Sequence, residues 1–285
     1  ENDMGAVNVD LMLLSELIDA GCGMETIAGG CDPDCHRRRF KTKLISIAMM
    51  DYDRVIMEPS GVFDMDEFFD TLYEDPLNRM YKTGNVIAIT EPEVPKNIER
   101  TAAFITASEI SCAGIVLPSG IPKDLPENEA EDRRKTLSEN LNEYLALIKC
   151  ERKLKDKAFL LTDWEDISEA DWKRIDSAGF VRYDYEKDSS AFDNAYEATY
   201  FFNVRKPIDD LLSDIKGIFS NPEYKNVERI KGFLPKELSA EDSETANPWY
   251  EINATRDKTS VKERKTGQEI IIVISKGELS LKPEW

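Results

Sequence analysis

Short apolar runs recur along the first two thirds of the chain, with helix-like segments between them. The runs are Val55–Met57, Val86–Ile89, Ile115–Leu117 and Ala158–Leu161. Each has the length and composition of a buried strand. The clearest helical segment has an apolar face formed by Leu137, Leu141, Leu145 and Ile148. Strands that alternate with helices are typical of βαβ units, so we predict an α/β fold with a mostly parallel sheet.

The pattern changes after the polar stretch 184–193, where we place a domain boundary. A strand-like run, Tyr200–Val204, is followed by a helix pattern over residues 208–219. Three further strand candidates follow, at Val227–Leu234, Trp249–Thr255 and Glu269–Ser275. Strands that cluster after one helix are typical of an α+β module with an antiparallel sheet. We therefore predict a first domain over residues 1–190 and a smaller α+β domain over 191–285, with the apolar run Ile270–Ile274 as a central strand.

Charge and cysteine content narrow the function classes. The chain has 56 acidic and 37 basic residues and a formal charge of −19 among 285 residues. Nucleic acids and anionic membranes both require a cationic face, so we expect neither as a partner. The five cysteines form no disulfide framework, and no apolar run approaches the length of a membrane span. These features favour the reducing cytoplasm.

A carboxylate and a tight turn follow the first strand-like run. Glu58 ends the run, and Pro59, Ser60 and Gly61 are turn formers that stop it. The carboxyl end of a buried strand is where α/β proteins place ligand chemistry. Two interpretations stay open for Glu58, a carboxylate that binds a hard cation and an ordinary acid paired with a base. Gly61 can likewise serve only the turn, since glycine readily takes positive φ.

Two cysteines and the chain's single histidine lie upstream, in Cys31-Asp-Pro-Asp-Cys35-His36. Thiolate and imidazole ligands suit zinc and similar metals. Three soft ligands cannot close a four-ligand site, so the alternatives are an open or partner-completed metal site and a pair of half-buried cysteines. The basic residues that follow, Arg37 to Lys43, either face solvent or bind a phosphate. By contrast, Cys112 and Cys150 lie beside apolar segments and are expected in the core.

Taken in order, these motifs resemble the CobW-like GTPases, relatives of the UreG and HypB metallochaperones. Asn2-Asp-Met-Gly5 and Asp10 resemble the family's Asn-Glu-x-Gly … Asp stretch. Gly30-Cys31…Cys35 resembles its Gly-Cys-x-Cys-Cys metal motif, and Glu58-Pro-Ser-Gly61 its Walker B Glu-x-x-Gly. The segments Arg229–Phe233 and Gly267–Ile274, with Trp249 between them, resemble the CobW C-terminal domain.

This resemblance implies a P-loop-NTPase-like domain and a GTP-dependent metal chaperone, with GTP, Mg²⁺ and Zn²⁺ or another divalent transition metal as ligands. Glu58 would hold magnesium through water, and the Gly61 amide would sense the γ-phosphate. Ser60 and Asp10 would belong to the nucleotide site, while Asp3 and Asp10 would lie in a switch region near the metal. Cys31 and Cys35 would bind the transferred metal with His36 or Asp34. A client metalloprotein is the implied partner, and a homodimer is one open assembly.

Three departures from the family pattern leave a second function open. No Gly-x-x-x-x-Gly-Lys-Ser/Thr occurs in these residues, and in the family that loop precedes the Asn-Glu segment, so we expect it upstream of Glu1. Pro118-Ser-Gly-Ile121 stands where the family reads guanine, and the metal motif lacks the adjacent cysteine pair. The alternative is a metal-binding interaction protein without nucleotide chemistry.

Overall fold

A computed structural model describes residues 2–3, 14, 22–28, 33–59, 65–187, 197–236, 249–279 and 283. Its α-helices are α1 (Pro33–Ala48), α2 (Met65–Tyr73), α3 (Leu77–Met80), α4 (Arg100–Cys112), α5 (Glu127–Leu147), α6 (Glu169–Asp176) and α7 (Ile208–Ser220). Its strands are β1 (Asn2–Asp3), β2 (Ile27–Ala28), β3 (Ile87–Thr90), β4 (Ile115–Pro118), β5 (Glu197–Phe202), β6 (Val227–Pro235), β7 (Trp249–Ala254), β8 (Thr259–Arg264) and β9 (Ile270–Ser275).

The chain divides into two compact units. One draws on the ranges Glu1–His36, Met57–Pro59 and Asn194–Trp285, and the other on Arg37–Ile56 and Ser60–Asp193. The second unit is called the helical unit. The boundary at residue 190 stays a prediction.

The helical unit is built on two parallel strands. β3 pairs with β4 in parallel, from Ile87 opposite Ile115 to Thr90 opposite Pro118. α4 and α5 pack on these strands, because their apolar faces share one core with Val116. That core contains Ala103, Phe104, Ala107, Ile110, Leu137, Leu141, Tyr144 and Leu145. The helix predicted on Leu137, Leu141, Leu145 and Ile148 is thereby confirmed, and it already begins at Glu127. The strands predicted at Val86–Ile89 and Ile115–Leu117 are confirmed to within a residue at each end.

The fourth predicted strand of this unit, Ala158–Leu161, is reduced to a single bridge. Phe159 pairs in parallel with Val116, and the Leu160 N–H donates to the Val116 carbonyl at 3.0 Å. A 3₁₀ turn over Asp156–Ala158 immediately precedes this bridge. Because this turn occupies residues 156–158, too few extended residues remain to form a strand ladder. The parallel direction of the bridge agrees with the prediction.

The strand predicted at Val55–Met57 is wrong. Residues 54–59 have no regular secondary structure, and Ile56 is 87% exposed. A run of three apolar residues forms a strand only where a neighbouring strand accepts its hydrogen bonds and buries its side chains. Within the described residues, β3 and β4 pair with each other and neither pairs with this run.

The other unit contains a five-stranded antiparallel sheet in the order β5-β9-β6-β7-β8. Helix α7 covers one face of this sheet, where Leu211, Ile215 and Ile218 share a core with Ile230 and Val273. The predicted antiparallel sheet and its helix are therefore confirmed, and β9 lies between two neighbours as the apolar run Ile270–Ile274 indicated. The edge strand β8 was not predicted, because most of its residues are exposed and carry no apolar alternation.

The fold as described is thus mixed α/β. Its parallel pairs, β1–β2 and β3–β4, have two strands each, and its largest sheet is antiparallel. No helix in the described ranges is both long and apolar enough to cross a membrane.

Candidate functional site

The segment Pro118-Ser-Gly-Ile121, predicted to stand at the guanine-reading position, begins at the carboxyl end of β4, next to the end of β3. Thr90 ends β3, and the Ser119 N–H after β4 donates to the Thr90 carbonyl at 2.8 Å. Gly120 has a φ of +62°, so the chain turns sharply there in a conformation that favours glycine. The segment Pro118-Ser-Gly-Ile121 is therefore the end of a strand followed by a tight turn.

Thr90 carries an unsatisfied polar atom at this edge. Its side chain is buried, and its Oγ1 has no hydrogen-bond partner within the described part of the chain. Buried hydroxyls nearly always have a partner in proteins. The Thr90 hydroxyl is thus available to a ligand or a bound water at the carboxyl end of β3. Thr90 was not predicted as a site residue, although a threonine that ends a strand at the carboxyl edge of a sheet was a usable signal.

The predicted magnesium and phosphate residues are only partly within the described ranges. Glu58 is exposed in the irregular segment 54–59, which replaces the predicted Walker B strand. Ser60, Gly61 and Asp10 lie outside the described residues, and so does the side chain of Asp3, whose backbone forms β1. The roles predicted for these residues remain predictions.

The predicted metal residues lie at the start of α1. Helix α1 begins at Pro33, so the backbones of Asp34, Cys35 and His36 form its first turn, while Cys31 lies outside the described residues. Among the side chains that are described, no group of three or more histidine, cysteine, aspartate or glutamate residues is arranged to hold a metal ion. The side chains of Cys31, Asp34, Cys35 and His36 lie outside the described residues, so their metal role remains a prediction.

The basic run that follows on α1 has a structural partner. The Lys41 ammonium lies 2.8 Å from a carboxylate oxygen of Glu74, and Arg37 pairs with the other oxygen. The Lys41 hydrogen bond, together with the charge of Arg37, holds the pKa of Glu74 below its ordinary value. Arg37 and Lys41 thus bind a carboxylate, whereas the sequence predicted either solvent exposure or phosphate binding for this run.

Cys112 and Cys150 are core residues, as predicted. Both are buried, and burial raises the pKa of the Cys112 thiol to about 12. A thiol that stays protonated at neutral pH is a poor metal ligand and a poor nucleophile. These two cysteines therefore take no part in the candidate metal site.

Residues 1–147 match the family described as CobW/HypB/UreG, nucleotide-binding domain. The chain belongs to this family. The match spans the motif residues Asp3, Asp10, Cys31, Cys35 and Glu58, and it ends at the last residue of α5. The resemblance drawn from the ordered motifs to a CobW-like P-loop GTPase family is therefore confirmed.

Two solved structures of GTPases are similar to this CobW-family chain. The zinc-bound YjiA GTPase from E. coli has 13% identity and a TM-score of 0.26, over 88% of this chain and 74% of that chain. A zinc-bound triple mutant of YjiA GTPase has 12% identity and a TM-score of 0.28, over 90% and 76%. None of the curated proteins matches this chain. The family assignment accordingly rests on the match over residues 1–147.

Proposed function

We propose that this protein is a GTP-dependent metal chaperone that couples GTP hydrolysis to transfer of a transition metal, zinc or cobalt. The observation that carries the proposal is the match of residues 1–147 to the CobW/HypB/UreG nucleotide-binding domain. That range contains both the Glu58-Pro-Ser-Gly61 segment and the Cys31…Cys35-His36 segment. One stretch of chain therefore supplies hard oxygen ligands for magnesium and soft ligands for the transferred metal.

In this proposal the two segments have separate tasks. Glu58 holds magnesium through water, Gly61 donates its amide to the γ-phosphate, and Ser60 and Asp10 contribute to the nucleotide site. Magnesium supplies charge neutralisation, which is most of what phosphoryl transfer requires of a protein. Cys31 and Cys35 bind the transferred metal with His36 or Asp34, and Asp3 lies in the adjoining switch segment.

The Thr90 side chain, whose Oγ1 has no hydrogen-bond partner in the described part of the chain, supports a ligand at the carboxyl ends of β3 and β4. Thr90 ends β3, and ligands of open α/β sheets bind at the carboxyl ends of the strands. A hydrogen bond from a bound ligand or its water would satisfy this buried oxygen.

GTP hydrolysis by the Glu58→Ala variant of the natural protein tests the proposal. We expect magnesium-dependent phosphate release by the parent and a decrease in kcat of about a hundredfold in the variant, because a preorganised charge at the phosphates is lost. The matched control is Glu131→Ala, which removes an exposed carboxylate on α5 and should leave turnover unchanged. Equal turnover by the parent and Glu58→Ala would show that Glu58 does not have the assigned role.

One observation favours a second candidate, a metal-binding interaction protein without nucleotide chemistry. Pro118-Ser-Gly-Ile121 takes the place of the family's guanine-reading segment, and the Ser119 amide in it is used by the Thr90 carbonyl. Titration of the natural protein with GTP and magnesium separates the two candidates. Binding favours the chaperone, and a protein that binds zinc but no nucleotide favours the alternative.

A further inference from the structure

A basic cleft opens in the helical unit at the amino end of β4. It has a volume of about 550 Å³, and Gly114 and Ile115 of that end form part of its wall. Thirteen residues line the cleft, and none of them is an aspartate or a glutamate. Five are cationic, namely Arg152, Lys153, Lys155, Lys157 and Arg174. This local positive charge is opposite in sign to the formal charge of the whole chain, which is −19.

The two arginines are held in place by carbonyl groups. Arg152 donates from Nη1 to the Ile110 carbonyl at 2.6 Å and from Nη2 to the Ala113 carbonyl. Arg174 donates from Nη2 to the Phe159 carbonyl at 2.9 Å and also to the Lys157 carbonyl. Neither arginine forms an ion pair with a carboxylate of the described residues, so the positive charge of both is fixed in position but not neutralised.

Arg152 is the buried cation of the cleft. Only 7% of the residue is exposed, and burial lowers the pKa of its guanidinium. A buried charge without an opposite charge is costly, because it loses hydration without an equivalent partner. Its bonds to Ile110 and Ala113 satisfy carbonyls at the end of α4, which explains its position. They use two of five N–H donors and leave the charge uncompensated.

The three lysines of the cleft are exposed and make no ion pair with any described residue. Some lysines elsewhere in the same unit pair with carboxylates, as Lys149 does with Glu186 and Lys123 with Asp166. The acids nearest in sequence, Glu151 and Asp156, do not line the cleft, and Asp176 pairs with Arg54. Lys82, Lys135 and Lys173 of this unit also form no ion pair with a described residue, so a lack of partners does not distinguish the cleft. Its distinguishing feature is that five cations line one space with no carboxylate among them.

We infer that this cleft binds a small molecule that carries one or more phosphoryl groups. A phosphoryl group carries a charge of about −1.5 to −2 and offers several acceptor oxygens, which suits several cations around one space. The planar guanidinium is well matched to such oxygens, and lysine adds adjustable point charges. The volume is within the range of about 300–1,000 Å³ typical of small-molecule sites.

The remaining wall can contact a less polar part of the ligand. Val181 and Tyr183 line the cleft and are both exposed. An aromatic ring next to the cationic side chains can pack against an organic group that is attached to the phosphate. The cleft thus suits a phosphorylated organic molecule as well as an inorganic phosphate.

This site lies apart from the nucleotide edge of the proposed function. Gly114 and Ile115 are at the amino end of β4, whereas Pro118, Thr90 and the Ser119–Gly120 turn are at the carboxyl ends of β4 and β3. The nucleotide of an open α/β sheet binds at the carboxyl ends. The cleft is therefore a second site, separate from the nucleotide site of the proposed function.

Calorimetric titration of the natural protein with inorganic pyrophosphate, in magnesium-free buffer, tests the inference. We expect saturable binding by the parent and about tenfold weaker binding by Lys155→Gln/Lys157→Gln, because each exposed lysine contributes modestly. The matched control is Lys82→Gln/Lys135→Gln, which removes the same charge from exposed positions of the same unit outside the cleft. The control should bind as tightly as the parent.

Three outcomes would overturn the inference. Pyrophosphate could fail to bind the parent, or both double variants could weaken binding equally, which would show a general charge effect. A polyglutamate peptide could bind in a Lys155- and Lys157-dependent manner where pyrophosphate does not, which would assign the cleft to acidic proteins.

The same variant keeps this inference separate from the proposed function. Lys155→Gln/Lys157→Gln should retain the GTP hydrolysis of the parent, since neither lysine is at the carboxyl edge. Conversely, Glu58→Ala should bind pyrophosphate as the parent does.

Discussion

A glutamate within a helix that covers the β3–β4 strands shows how strongly burial controls individual residues. Glu109 lies on α4 between the buried residues Ser108 and Ile110, and burial raises its pKa from 4.5 to about 7. Cys112, one turn later, donates its S–H to the Glu109 carbonyl at 3.4 Å. Desolvation disfavours the charged form of both groups, so this part of the helix carries less charge near neutral pH than its sequence indicates.

The raised pKa of Glu109 should make the free energy of unfolding depend on pH. Because its folded pKa lies above the unfolded value, its contribution is fully present below about pH 4.5 and is lost as the pH rises through about 7. We expect Glu109→Gln to match the parent near pH 5 and to exceed its free energy of unfolding by about 2 to 3 kcal/mol near pH 8. Urea denaturation at several pH values measures this difference.

Glu139→Gln is the matched control for this prediction, because Glu139 is exposed on α5 and its loss should give no such trend. A constant difference between parent and Glu109→Gln across pH 5 to 8 would contradict the raised pKa.

At the scale of elements, one glycine allows β6 to lie between its neighbours. A Cβ at Gly232 would be 2.2 Å from the Ile270 carbonyl oxygen and 2.7 Å from the Ile271 Cδ1. The first of these atoms belongs to the backbone of β9 and cannot turn away. Glycine is therefore required where β6 and β9 approach each other.

We expect Gly232→Ala to destabilise the sheet by about 2 to 3 kcal/mol, because the added methyl displaces β9. Gly217→Ala is the matched control on α7, where the new Cβ would have no atom within 4 Å apart from the backbone of its own helix and its chain neighbours. It should stabilise the helix by about 0.5 to 1 kcal/mol, since alanine is the better helix former. Hydrogen exchange of peptides from β6 and β9 reports on this unit directly. Equal protection in both variants would contradict the close approach.

At the scale of the whole molecule, the proposed function requires the affinity of the metal site to depend on the nucleotide that is bound. Under the proposed function, loss of the γ-phosphate changes the metal site, so zinc affinity should depend on the bound nucleotide. Coupling free energies of this kind correspond to factors of about 5 to 150. By reciprocity, zinc should change nucleotide affinity by the same factor.

Zinc titration with GDP or a non-hydrolysable GTP analogue tests this communication. We expect a different zinc affinity for each nucleotide, and a decrease of at least about a hundredfold in Cys31→Ser/Cys35→Ser because two thiolate ligands are lost. Cys22→Ser, at an exposed cysteine, is the matched control. Unchanged zinc binding by the double variant would exclude the metal site under either function. The same zinc affinity with either nucleotide would favour the non-enzymatic alternative.

The sequence by itself determined the elements whose burial is set locally. Helical spacing of leucines predicted α5, and continuous apolar runs predicted β4 and the interior strand β9, because such patterns bury a face in any compact arrangement. The order of short motifs was sufficient to identify the CobW/HypB/UreG family, since residue types and spacing are written in the chain.

Only the tertiary structure decided features that depend on a partner distant in sequence. The run Val55–Met57 is irregular although it is apolar, and β8 is a strand although it is polar, because a strand exists only through its neighbour. Arg37 and Lys41 pair with Glu74 across more than 30 positions. The cleft likewise gathers Arg152 and Arg174 from separate segments. Which charges are neutralised is therefore a property of the fold, because Coulomb interactions depend on distance in space and not along the chain.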